Sequence, residues 1–149
     1  MGVTTIRAEL EHWDVLTGLF DAYRQFYGQE PDLPGARRFL EARLLAGDSV
    51  VFVAFDATGT GVGFVQLYPS FSSVAMKPIW ILNDLFVAPQ RRRAGVARTL
   101  LVAACELARS TGAVRLRLST ARDNEAAKAL YLASGYRMIA FDQYELAVS

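Results

Sequence analysis

A helix that opens with Gly95, Val96 and Ala97 directly after Arg91, Arg92 and Arg93 is suited to hold an anion, most often a phosphate. The first turn of any helix leaves backbone N–H groups unpaired and carries the positive end of the helix dipole, so phosphate oxygens are stabilised there. Gly95 has no Cβ, which allows a pyrophosphate to approach the backbone closely, and Ala97 is the next smallest choice. The arginines add charge and forked donors matched to phosphate oxygens. A basic turn before a helix is commonly no more than a solvated turn. What distinguishes this one is its order: an apolar strand from Trp80 to Val87, a Pro-bearing turn, arginines, small residues, helix.

Other chemistries find less support. His12, the one histidine, opens the first helix and reads as a surface or capping residue rather than a base. Cys105 lies in an apolar helical stretch with no histidine near it in sequence, so burial as a small hydrophobe is favoured over a nucleophile. No His, Cys, Asp and Glu cluster has metal-ligand spacing, so no metal is expected. The glycines at 59, 61 and 63 do not follow the G-x-G-x-x-G spacing of a dinucleotide fold and precede a strand-like run, so they read as a turn.

The elements that must position the cradle follow from periodicity. Val3 to Ala8 reads as a short strand, Glu11 to Phe26 as a helix with an apolar stripe, and Pro34 to Ala46 as a second helix ended by Gly47. Val50 to Phe55 and Val62 to Tyr68 form a hairpin around Asp56 to Gly61, followed by a loop from Pro69 to Pro78 and the strand to Val87. A helix from about Gly95 to Thr111 comes next, then a strand from Val114 to Thr120. Asp123 or Asn124 caps a last helix to about Ser134, and Tyr136 to Val148 reads as extended. The order β-α-α-β-β-β-α-β-α-β predicts an α/β (α+β) fold with a mixed, mostly antiparallel sheet flanked by helices. Its back half should be a right-handed β-α-β crossover.

Length and composition bound the rest. With 149 residues and no linker or repeat, a single domain covering 1–149 is expected. Sixteen basic residues against fifteen acidic give a net charge of +1, so bulk charge predicts neither nucleic acid nor membrane as a partner. A single cysteine forbids an intramolecular disulfide and fits a reducing cytoplasm. The N-terminus lacks an apolar signal core, and no apolar run is long enough to span a bilayer. A soluble cytoplasmic protein is expected.

The chain resembles the GNAT superfamily of N-acetyltransferases. The family's phosphate signature, Q/R-x-x-G-x-G/A, stands here as Arg92-Arg93-Ala94-Gly95-Val96-Ala97, and its second signature as Asn124, Tyr131 and the Gly135-Tyr136 pair. The resemblance implies acetyl-CoA as cofactor. Backbone groups of Leu85, Phe86 and Val87, where strands splay, would pair with the pantetheine arm. Arg92, Arg93, Ala94, Gly95, Val96, Ala97 and Arg98 would surround the pyrophosphate, Asn124 would contact the cofactor arm, and Lys128 would reach a phosphate.

Tyr131 is implied as the acid that protonates the departing thiolate when an amine attacks the thioester. It lies seven residues from Asn124, nearly two turns, so both occupy one helix face; a packed aromatic is the plain alternative. Asp84 is the candidate base, contacts a cationic substrate, or only serves a local β-bulge. Where the polyamine acetyltransferases carry Glu-Asp on this strand, the chain has Asn83-Asp84. Tyr23, Tyr27, Glu30 and Asn83 with Asp84 would line the acceptor pocket, although the aromatics could equally be core.

The expected activity is transfer of an acetyl group to a primary amine of a small molecule, polyamine or amino-acid-like. A protein or peptide amino group is the alternative acceptor, and a non-catalytic acyl-CoA sensor the alternative function. Dimers are common in the family, which allows a homodimer.

Overall fold

The structure, a computed structural model, describes residues 2–149. It comprises two compact units, one extending to Ser119 and the other from Thr120 onward.

The first unit is built on one five-stranded sheet in the order β1-β2-β3-β4-β5. Its strands are β1 (Thr4–Arg7), β2 (Val50–Phe55), β3 (Gly61–Ser72), β4 (Lys77–Val87) and β5 (Leu116–Arg117). Pairing is antiparallel except between β4 and β5, which run parallel. In β2, Val50, Val51, Val53 and Ala54 are all buried, so the strand lacks the alternation of a half-exposed strand. The cause is cover on both faces.

On one face lie α1 (Trp13–Phe26) and α2 (Leu33–Ala46). Leu16 and Phe20 of α1 with Ala36 and Leu40 of α2 close over Val51, Val53, Phe64 and Phe86. Phe64 is completely buried, and a side chain of that size contributes about 2 kcal/mol by leaving water. A short 3-10 turn, Leu10–His12, leads into α1; there His12 takes the expected capping role, its Nδ1 accepting the Glu9 N–H at 3.0 Å.

On the other face lies α3 (Val96–Ser110), with Val96, Leu100, Ala104 and Leu107 buried. Its approach depends on Gly63. A Cβ there would sit 2.6 Å from the Phe86 carbonyl oxygen and 3.3 and 3.4 Å from the Val96 and Leu100 side chains.

Three segments differ from the sequence expectations. The stretch from Pro69 to Pro78 is not a loop: the β3–β4 ladder continues to Ser72↔Lys77. β2 pairs no further along β3 than Leu67, so Pro69 lies where β3 has a single strand neighbour and its missing N–H disrupts only one edge. The strand expected from Val114 to Thr120 shrinks to Leu116–Arg117, which pairs with Trp80 and Ile81. Just beyond, Asn83 is an extra residue in β4: Gln66 pairs with Asp84 and Leu67 with Leu82. A bulged strand does not offer evenly spaced groups to a parallel partner.

The third difference is in the second unit, which holds α4 (Glu125–Ala133) and forms no strand from Tyr136 to Val148. Tyr144, Leu146 and Val148 are exposed there. Strand propensity yields a strand only where a neighbour accepts its hydrogen bonds, and this unit contains no other strand.

The β2–β3 turn is organised by Asp56. Its Oδ1 accepts from the Thr58 N–H, the Thr58 hydroxyl and the Thr60 N–H, and its Oδ2 takes Arg91 Nη1 at 2.5 Å. The Thr58 hydroxyl foremost, then the Thr60 and Thr58 N–H groups and Arg91, hold its carboxyl down at about 2. A depressed carboxyl stabilises the fold fully above its unfolded value near 3.8 and loses that stabilisation as pH falls toward 2. Thermal melts across this acid range should therefore show a shallower fall in stability for Asp56→Asn than for the parent; equal slopes would show that the turn makes no such contribution.

Candidate functional site

At the start of α3 the backbone takes the left-handed conformation twice, at Arg93 with φ of 67° and at Gly95 with φ of 81°. Among the described residues, no protein group accepts the backbone N–H of Arg93, Ala94, Gly95, Val96, Ala97 or Arg98. A Cβ at Gly95 would meet no atom within 4 Å, so the space in front of it is open. Unpaired donors at a helix N-terminus with open space before them fit a phosphate group.

The arginines divide their work. Arg91 is fastened to Asp56 of the hairpin turn. Arg92 donates from Nε to the Val87 carbonyl at 3.0 Å, and its guanidinium lies over the rings of Phe26 at 5.1 Å and Phe86 at 5.9 Å. It thus joins the loop before α3 to the end of α1. Arg93 and Arg98 are exposed.

Next to this loop, β4 has a free edge. β5 pairs with β4 only at Trp80 and Ile81, so among the described residues the backbone of Leu85, Phe86 and Val87 pairs with β3 on one side and with no strand on the other. This is the splay that the family resemblance implies for a pantetheine arm. The fit of the group rests on that open edge and on the unpaired N–H groups.

The bulge at Asn83 positions the polar centre of the unit. Asp84 is 7% exposed. Its Oδ1 accepts from the Tyr23 hydroxyl at 2.8 Å and from Asn83 Nδ2 at 3.1 Å, and its Oδ2 from Gln66 Nε2 at 2.9 Å. Tyr23 is wedged between rings, edge-on to Phe64, Phe86 and Tyr27. Of the expected acceptor-pocket residues, Tyr23, Asn83 and Asp84 thus meet directly and Tyr27 joins through its ring. Glu30 does not join them; its carbonyl accepts from Arg24 Nη1, which also pairs with the buried Asp21. Tyr68, half-buried, has its hydroxyl pushed up to about 12 by burial and by the Asp84 carboxylate, so it stays a neutral donor.

In the second unit, Asn124 caps α4, its Oδ1 accepting the Ala127 N–H at 3.1 Å. Lys128 Nζ lies 3.6 Å from Glu125. Tyr131 is partly buried, its ring 5.7 Å from that of Tyr136, whose N–H donates to the Tyr131 carbonyl.

Sequence reasoning missed Gln66, Ser49 and Phe26. Ser49 and Gln66 are 5% and 1% exposed and hydrogen-bond to each other. A glutamine inside the apolar run Val62 to Leu67 was the available signal, because a buried amide requires partners.

The model of the acetyltransferase (GNAT) family matches residues 16–136. The uncharacterized N-acetyltransferase YhfO of Bacillus subtilis is 50% identical over 118 residues, 79% of this chain and 78% of its own length. A probable acetyltransferase of Haemophilus influenzae is 34% identical over 110 residues, 74% of this chain and 75% of its own. The crystal structure of a probable acetyltransferase matches with a TM-score of 0.91 and 45% identity, covering 100% of this chain and 99% of that one.

Replacing Gly95 by valine would put a branched side chain into the open space of the cradle and strain a left-handed residue. We expect Gly95→Val to abolish acetyl-CoA binding in calorimetry while circular dichroism shows a folded protein; unchanged affinity in a folded variant would refute the placement.

Proposed function

This chain belongs to the GNAT family of acetyltransferases, and on that premise we propose that it moves an acetyl group from acetyl-CoA to a primary amine of a small molecule, polyamine or amino-acid-like. The observation that carries the acceptor reading is Asp84, a buried carboxylate held by Tyr23 and Asn83 at the bulge of the strand whose edge is open. A carboxylate offers about four acceptor positions and three are taken by protein donors, which leaves room for an incoming ammonium group.

Acetyl-CoA supplies an acetyl group activated as a thioester. The N–H groups of residues 93 to 98 and the arginines of the loop hold its pyrophosphate, and the β4 edge from Leu85 to Val87 holds its arm. Asp84 takes the proton from the amine so that nitrogen can attack the carbonyl carbon. The N–C bond forms as the C–S bond breaks, and the Tyr131 hydroxyl supplies the proton that the leaving sulfur takes up. Tyr131 has this role by its place in the second family signature, with Asn124 and Lys128 assigned to the cofactor on the same ground. The family match runs from residue 16 to 136, across the division at Ser119, which supports one acetyltransferase domain over 1–149. A cytoplasmic setting is supported by the single cysteine and by the lack, among the described residues, of any helix long and apolar enough to cross a membrane.

Incubation with acetyl-CoA and spermidine, putrescine, lysine or a lysine-containing peptide, followed by free-thiol release, tests the reading. Release with a small amine and not with the peptide is expected; release with the peptide alone would replace the acceptor class, and no release with any would favour a sensor. Tyr131→Phe should lower kcat by about 100-fold or more with the Kd for acetyl-CoA unchanged, and an undiminished kcat would remove Tyr131 from the chemistry.

A further inference from the structure

The Asp84 carboxylate is only as well aimed as its second oxygen is held, and that oxygen depends on residues outside the pocket. Gln66 lies directly across the ladder from Asp84, at the last regular pair before the bulge. Its Nε2 donates to Asp84 Oδ2 at 2.9 Å, and its Oε1 accepts from the Ser49 hydroxyl at 2.7 Å. An amide can present either end, and nothing in its shape prefers one. A carboxylate only accepts whereas a hydroxyl can donate or accept, so Asp84 requires the NH₂ end of the amide, and the Ser49 hydroxyl holds the amide in place by donating to the oxygen at its other end. Ser49, Gln66 and Asp84 form a buried polar line from the start of β2 across β3 to β4, with Val51, the β2 partner of Gln66, also buried. An amide among such neighbours costs stability unless it is bonded at both ends.

We propose that Gln66, its amide oxygen held by Ser49, is a positioning residue for the acyl transfer: it occupies one acceptor position of Asp84 Oδ2 and, with Tyr23 and Asn83 on Oδ1, fixes the carboxylate so that the remaining position, on Oδ2, meets the acceptor amine. This rests on the acceptor role of Asp84 proposed above. Titratable and charged groups that interact with members of this region are Tyr23 of α1, which donates to Asp84, and Tyr68 of β3, whose hydroxyl feels the charges of Asp84 and of the Arg43–Asp48 pair at the end of α2. The Gln66 side chain bonds Asp84 at its NH₂ end and Ser49 at its oxygen.

A double-mutant cycle on the full-length protein tests it, with spermidine or lysine as the amine and thiol release as the readout. Gln66→Met, close in volume but without donor or acceptor, should lower kcat/KM for the amine by about tenfold, with the Kd for acetyl-CoA unchanged. In an Asp84→Asn background the same substitution should cause no further loss, because a residue that acts through Asp84 has nothing left to position.

Ser49→Ala should reproduce part of the loss and Ser49→Thr, which keeps the hydroxyl, should restore it; this pair carries the test if Gln66→Met does not fold. A wild-type rate for Gln66→Met, or for Ser49→Ala when that pair carries the test, would overturn the proposal. So would a loss that persists in full on top of Asp84→Asn. If Asp84→Asn itself keeps the full rate with either amine, or if neither amine releases thiol with the parent protein, the acceptor reading falls and this inference with it. An effect of Asp84→Asn without one of Gln66→Met would overturn the inference alone.

Discussion

A carboxylate placed inside a sheet must be hydrogen-bonded, and in this protein Asp84 imposes that demand on three elements at once. Leaving such a group buried without partners costs several kcal/mol, more than most single contacts return. Tyr23 supplies a hydroxyl from α1, Gln66 an amide from β3, and Asn83 an amide from the bulge of β4 itself. The position of α1 on the sheet is therefore tied to the polar centre as well as to the apolar contacts of Leu16 and Phe20. Tyr23 meets both requirements: its ring packs on Phe64 and Phe86 while its hydroxyl reaches the carboxylate.

The bulge at Asn83 is what makes this arrangement geometrically available. Below it β4 has neighbours on both sides, β3 and β5; above it β5 is gone and only β3 remains. One inserted residue thus separates the stretch that pairs with β5 at Trp80 and Ile81 from an upper half paired with β3 alone among the described residues. The open edge runs from the polar centre at Asp84 to the loop after Val87. Arg92 closes that loop back onto the domain through Val87, Phe86 and Phe26, and Arg91 anchors it to the β2–β3 turn. The arginines thus shape the loop that presents the unpaired N–H groups, in addition to any charge they offer.

How much of this could be read in advance varied with the range of the interactions. The helices from Glu11 to Phe26, Pro34 to Ala46 and Gly95 to Thr111 were legible within a residue or two because their apolar stripes and stop signals are local. The loop before α3 was legible because strand, arginines and small residues follow one another within a short stretch. The length of the β3–β4 hairpin was not, since Pro69 and Pro78 read as breaks, and Pro69 is tolerated because β2 pairs no further along β3 than Leu67. The strand expected after Tyr136 depended on a partner that its own residues cannot supply.

By itself the amino-acid sequence determined the class of fold and marked the helix start after the arginines as a candidate anion site, because both are written in neighbouring residue types, while Asp84 and Tyr131 became candidates through the family resemblance. Only the tertiary structure decided that Asn83 is an inserted residue, that Arg91 is bound to Asp56, and that Ser49 and Gln66 stand behind Asp84. Pairing register and the satisfaction of buried polar groups join residues far apart in the chain, as Tyr23 and Asp84 are, and no local pattern records which of them will meet.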